Sequence, residues 1–154
     1  TPRYIAETML PAVQRGAAKT GRDLSGFTMC VIPLVATAPD RASLDARIAD
    51  VRSRVAFYAS TPAYLIAFEN EGYGEVARNL QQLSRAQRWD EMAALVDDGM
   101  LDTYAVTGTY DEIAAKLRAR YTAVATAIEF AIPLSGERDA AMLRALIAAL
   151  RDAR

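Results

Sequence analysis

Apolar positions along the chain switch between two periods, and the switches mark its elements. After Asp40, the residues Leu44, Ile48, Val51, Val55 and Tyr58 recur at helical spacing with Arg47, Arg52 and Arg54 turned outward, which predicts an amphipathic helix. Val76, Leu80 and Leu83 mark a further helical face. Trp89, Met92, Leu95 and Val96 mark another, which is expected to stop around Asp97-Asp98-Gly99. Met100 to Val106 should then return toward a sheet. Ile113, Leu117 and Tyr121 share one face of a helix beginning at about Tyr110. Met142, Leu143, Leu146, Ile147 and Leu150 line the buried side of a last helix that starts at Glu137. Phe27 to Val35 breaks this rhythm, being apolar nearly throughout, as a strand covered on both faces of a parallel sheet would be. Ala127 to Ile132 reads as a second buried strand.

Capping and turn chemistry set the boundaries. Thr1 is a suitable N-cap and Pro2 a suitable first residue for a helix that ends at Gly21, with a kink near Leu10 because Pro11 lacks a donor and crowds the preceding turn. Asp23, Ser25 and Gly26 make a turn. Pro33 cannot donate to a ladder, which suggests an irregularity or the strand's exit; an exit there would make Ala36 to Pro39 a loop. Ser60-Thr61-Pro62 ends one helix and starts the next, which Gly72 and Gly74 close, so Tyr73 sits at a hinge between helices. Gly108 releases the chain into the helix at Tyr110, with Thr109 as its cap and Asp111 and Glu112 favouring its N-terminus. Pro133 to Gly136 form the loop before the last helix. Helix dominates, and two confident strands alone would leave edges and one face open; the chain is therefore expected to form a symmetric dimer that buries that face.

Composition narrows the function classes. The chain has 154 residues, 52% hydrophobic against 24% charged, so one globular unit over 1–154 is expected. A net charge of −1 gives no general electrostatic reason to bind nucleic acid or an anionic membrane, and neither is expected as a partner. No apolar run reaches the length of a bilayer span and no signal-like segment opens the chain, which reads as cytoplasmic. Cys30 is the one cysteine, cannot make an internal disulfide, and is read as inert core. Histidine is absent, which removes the commonest general base and metal ligand and every Ser-His or Cys-His pair. Asp97, Asp98 and Glu91 do not make a metal site, because adjacent carboxylates at a helix end diverge; no metal is expected. No phosphate-binding Walker loop or dinucleotide fingerprint occurs.

Three stretches carry a resemblance in collinear order. They are Thr1 to Ala17; Phe57-Tyr58-Ala59-Ser60-Thr61-Pro62-Ala63-Tyr64 followed by Arg88-Trp89-Asp90-Glu91-Met92-Ala93-Ala94-Leu95-Val96-Asp97-Asp98; and the Gly108-Thr109-x-x-Glu112 helix start that feeds the Ala127 strand. Together they resemble the C-terminal part of the bacterial-luciferase-like flavin and deazaflavin oxidoreductases, in their coenzyme F-420-dependent branch. The chain opens with Thr-Pro-Arg at a point inside the family pattern, and so resembles a fragment.

The resemblance implies part of a (β/α)8 barrel: about two or three parallel strands, their helices and a helical insertion. Cofactor and substrate would then lie at the C-terminal ends of the strands. That assigns Ala36 and Thr37, with Ala38, to a cofactor-binding loop, and Leu134 and Ser135, with Pro133, to a second; position rather than side-chain chemistry carries this assignment. Phe57, Tyr58 and Tyr64 are the substrate-facing candidates, since aromatic rings stack on flat ligands and hydroxyls orient polar ones. The implied activity is hydride transfer between reduced coenzyme F-420 and a small organic substrate. An FMN-dependent monooxygenase is the first alternative, and a non-catalytic helical interaction module is an alternative of another class. Most catalytic residues and the phosphate-binding glycine loop belong, on this resemblance, to an earlier part of the family pattern; the catalytic residues of this chain are not assigned.

Overall fold

The computed structural model describes residues 1–129 and 136–151. Helix α1 (Pro2–Tyr4) begins as its sequence dictates: Pro2 occupies the first turn, and Thr1 Oγ1 accepts a hydrogen bond from the Tyr4 N–H at 3.1 Å. One π-turn (Ile5–Met9) follows, and then α2 (Leu10–Thr20). The widened turn lies just ahead of Pro11, where the missing N–H and the bulk of the ring oppose a regular α-turn, so the expected kink takes this form. Gly21 ends α2 in the left-handed region at φ 64°.

Strand β1 (Cys30–Val31) and strand β2 (Leu34–Ala38) replace the single strand expected from Phe27 to Val35. Pro33 separates the two: β1 pairs with one strand before it and β2 with a different one after it. Ala36, Thr37 and Ala38 are therefore strand residues, and the loop expected there shrinks to Pro39 and Asp40. Cys30 is exposed, not core.

Asp40 caps the 19-residue helix α3 (Arg41–Ala59), accepting from the Ser43 N–H at 2.8 Å. Leu44, Val51 and Val55 are buried as their spacing predicts, whereas Tyr58 stays partly exposed. Arg47 and Arg54 face outward; Arg52 instead binds the Val96 carbonyl and Asp98. After a short 3-10 turn (Pro62–Tyr64) come α4 (Leu65–Asn70) and α5 (Gly74–Arg85), separated by Gly72 at φ 85°.

The helix expected around Trp89 is two 3-10 turns, Trp89–Glu91 and Ala93–Leu95. Asp97 does not stop a helix; it caps α6 (Asp98–Tyr104), accepting from the Met100 N–H at 2.7 Å. Met100 to Tyr104 are thus helical, and strand β3 (Ala105–Thr109) begins only after them. Thr109 heads α7 (Tyr110–Tyr121), where Glu112 accepts from the Thr109 N–H at 3.1 Å. Strand β4 (Ala127–Ile128) is shorter than expected, since Glu129 is already outside it; the remainder of that expected strand lies outside the described residues. The last helix is α8 (Glu137–Arg151).

The architecture is helix-rich α/β with two parallel pairs, β1 with β4 and β2 with β3, the latter in register from Leu34 opposite Ala105 to Ala38 opposite Thr109. Strand alternation sends Leu34, Ala36, Ala38 and Ala105 into a core with α3, α5 and α6. Val35 and Val106 enter a second core with Ile113, Leu117, Tyr121 and Leu146 from α7 and α8. Both faces of the β2–β3 pair carry core residues among those described. No described helix is long and apolar enough to cross a membrane.

Candidate functional site

The C-terminal end of the β2–β3 pair gathers the first set of sequence candidates. Ala36 and Thr37 are buried in β2, opposite Thr107 and Gly108. The Thr37 hydroxyl is enclosed, the residue being 6% exposed, and Oγ1 has no hydrogen-bond partner among the described residues. Most buried hydroxyls find a partner; Asn70 Oδ1 and Gln81 Nε2 are likewise enclosed without one among the described residues, but Thr37 alone of the three lies at this strand end. Ala36 offers only a methyl group and its main chain.

Two helices start just beyond this end, α3 at Arg41 and α7 at Tyr110, and their N-termini are tied together by an Arg41–Glu112 ion pair. Glu112 also meets Lys116 Nζ at 3.4 Å, and Lys116 donates to the Thr107 carbonyl at 2.9 Å. The Thr109 N–H holds the Glu112 carboxyl below the usual carboxylate range, with Lys116 and Arg41 adding to the effect. Glu112 therefore stays ionised at neutral pH and is not a proton donor there. The described side chains at this end can bind, orient and neutralise charge, and none is placed as a nucleophile. Sequence reasoning caught Glu112 through its cap spacing but missed Arg41, which carries no local signal.

Phe57, Tyr58 and Tyr64 are brought together, but elsewhere. Tyr58 meets Phe57 edge-on at 5.9 Å and Tyr64 at 5.8 Å. They lie where α3 ends, and the helix from Arg41 to Phe57 rises about 25 Å, so they sit at the opposite end of the sheet from Thr37. The structure therefore does not join the two candidate sets into one pocket.

Tyr58 and Tyr64 instead line a groove of about 450 Å³ with Met29 to Leu34 and Phe68. Tyr104 lies in the same groove and donates to the Ala67 carbonyl at 3.2 Å. Burial pushes its hydroxyl well above the ordinary tyrosine range, with Glu71 and then Tyr73 adding to the rise. A second hollow of about 500 Å³ lies between the end of α7, β4 and Leu150. Neither hollow is lined by Ala36 or Thr37. Leu134 and Ser135 lie outside the described residues. No cluster of three histidine, cysteine, aspartate or glutamate side chains able to hold a metal occurs among the described residues.

Comparison with known proteins places this geometry in a family. The chain is 43% identical over 118 residues to uncharacterized proteins Rv1360 of Mycobacterium tuberculosis and Mb1395 of Mycobacterium bovis. The match covers 77% of this chain and 35% of each relative, so the chain spans about a third of the length of these relatives. A family model described as luciferase-like monooxygenase matches residues 1–127. With most of its length matched, from the Thr1 cap through β4, the chain belongs to the luciferase-like monooxygenase family.

Proposed function

We propose that the chain is the C-terminal part of a (β/α)8-barrel oxidoreductase of the luciferase-like family, and that the Thr37 end of the β2–β3 pair faces its cofactor. Reduced coenzyme F-420, a deazaflavin, is the cofactor we favour, with a small organic molecule as hydride partner; FMN is the alternative. The observation that carries the reading is the orphan hydroxyl of Thr37 beside two adjoining helix N-termini, within a chain of this family. A buried hydroxyl without a partner is a hydrogen-bonding group prepared for something polar. Bound there, a deazaflavin supplies the hydride chemistry. Thr37 donates a hydrogen bond that orients it, and the Arg41–Glu112–Lys116 set holds the two helix starts in place.

The described residues do not enclose a cofactor at this end, and the rest of the enclosure is assigned to family polypeptide beyond the matched region. The chain is accordingly expected to bind F-420 weakly by itself. The test is an absorbance and fluorescence titration with F-420 and with FMN, on this chain and on the Thr37→Val variant. Saturable binding that weakens on substitution supports the reading. Binding that ignores the substitution would remove Thr37 from the site. If neither cofactor binds this chain or the full-length mycobacterial relative, the oxidoreductase reading fails, and the non-catalytic interaction module takes its place.

A further inference from the structure

The groove of about 450 Å³ at the end of the sheet away from Thr37 is walled by three separate parts of the chain. Tyr4, Ile5 and Met9 form one side, Met29 to Leu34 a second, and α3 and α4 with the turn between them a third. Its volume falls within the range of small-molecule sites, which join apolar walls to a few polar groups. Charge in this groove has one sign: Arg54 is the one charged side chain among the described lining residues, and none of them is acidic. Arg52, two residues earlier, is bound to the Val96 carbonyl and Asp98, whereas Arg54 has no ion pair or hydrogen bond among the described residues. Arg54 is exposed while Val55 and Phe68 are buried, so the charge stands at the mouth and apolar surface lies within. Tyr58 follows Arg54 by one helical turn, which puts guanidinium and phenol on the same face of α3. Tyr58 and Tyr64 meet edge to face at 5.8 Å, and the Phe68 and Tyr104 rings lie tilted with centroids 4.3 Å apart. Tyr121 lines this groove as well as the second hollow; it is 5% exposed, and its hydroxyl has no partner among the described residues.

We propose that this groove is a binding site for a small aromatic carboxylate of one or two fused rings, with its carboxylate on Arg54 and Tyr58 and its rings between Met29, Tyr64 and Phe68. The charge selects the ligand: an anion gives the unpaired guanidinium a partner, and a charge-assisted hydrogen bond from the Tyr58 hydroxyl adds to it. A cationic ligand would be repelled there. The walls select the ring, because aromatic edges and a methionine thioether make their best contacts with a flat π-system. The assignment is independent of the cofactor reading, since the groove and Thr37 lie at opposite ends of α3. A ligand held here is therefore not the hydride partner.

Cys30 locates the ligand, because the chain's one cysteine is exposed and lines the groove. Its alkylation rate reports occupancy without any substitution. The 154-residue chain is titrated with naphthoate and followed by the anisotropy of its fluorescence. Naphthamide serves as the uncharged isostere and octanoate as the flexible acid. Naphthoate is expected to bind with a Kd of about 0.1 mM, and at about 0.4 mM to slow Cys30 alkylation about fivefold, corresponding to about four-fifths occupancy. Arg54→Gln, at an exposed position with no described partner to lose, should weaken naphthoate about tenfold and leave naphthamide unchanged. Absence of naphthoate binding at about 5 mM overturns the proposal. So does binding that is indifferent to Arg54→Gln, or binding that leaves Cys30 alkylation unchanged. Naphthamide or octanoate that binds as tightly as naphthoate also overturns it, and names an uncharged ring or a flexible acid as the occupant.

Discussion

Gly108 and Glu112 are fitted to one another across the turn from β3 into α7: a Cβ on Gly108 would lie 3.0 Å from Glu112 Oε2 and 3.2 Å from Glu112 Cβ. The carboxylate cannot simply swing away, because it is held by the Thr109 N–H and by Arg41. Gly108→Ala would gain about 0.5–1 kcal/mol from reduced backbone freedom. It would lose about 1 kcal/mol or more through the displaced cap. A net loss of about 0.5 kcal/mol is expected, or about 1–2 °C in Tm. In a Glu112→Ala background the same substitution should be neutral or stabilising; a thermal-melt double-mutant cycle that shows no coupling would refute the fit.

Glu112 also sets a pH dependence. Its folded-state pKa is depressed, chiefly by the Thr109 N–H, so its contribution is present above the unfolded value of about 4.5 and is lost as pH falls through the lower folded value. Glu112→Gln should lower Tm at pH 7, and the gap from the wild type should close as pH drops below about 4.5. Melts at pH 7, 5 and 3 check this. A gap that stays constant to pH 3 would mean that the glutamate acts by shape rather than by charge.

Thr37→Val should separate stability from binding. An enclosed hydroxyl without a partner costs about 1–3 kcal/mol, so its removal is expected to raise Tm by about 2–12 °C. F-420 affinity is expected to fall about fivefold in the same variant, equivalent to about 1 kcal/mol. Tyr64→Phe, at the far end of α3, should leave that affinity unchanged. A Thr37→Val chain that melts lower than the wild type would show that the hydroxyl has a partner within the folded protein.

Arg120 clamps the junction that delivers β3. Its guanidinium donates to the Ala105 carbonyl at 2.6 Å, to the Asp102 carbonyl at 2.6 Å and to the Thr103 carbonyl, satisfying groups at the end of α6. Arg120→Ala is expected to destabilise by about 1–3 kcal/mol, with Arg120→Lys recovering part of it because a point charge cannot serve three carbonyls in a fixed plane. Chemical denaturation of the two variants checks the order.

Where one residue decides an outcome, the sequence was legible. Thr1-Pro2, Gly21 and Thr109 with Glu112 act through their own backbone neighbours, and each sits where its chemistry requires. Asp97 shows the limit: Asp-x-Gly reads equally as a helix stop and as a cap, and only the packing of Met100 and Leu101 into the core selects the cap. Pro33 marks an irregularity, one of the two outcomes its missing donor allows; that β2 then pairs with β3, which begins 67 positions after Ala38, is beyond local reasoning. Cys30 looked like core because its neighbours are apolar, but with one partner strand its side chain is left outside. The separation of Thr37 from Tyr64 was within reach of arithmetic, since a 19-residue return helix carries the chain back along the whole length of the strands.

The parallel pairing of β2 and β3 also governs how the chain reaches its fold. Between Ala38 and Ala105 lie 66 residues that hold α3, α4, α5 and α6, so the central ladder cannot form until those helices have brought its strands side by side. The helices carry their own local contacts, and the two strands that organise both cores are the elements that must wait. Ordering should therefore run from the periphery inward, with amide protection appearing in α3 and α5 before β3, and the slowest step being the closure that joins the two cores.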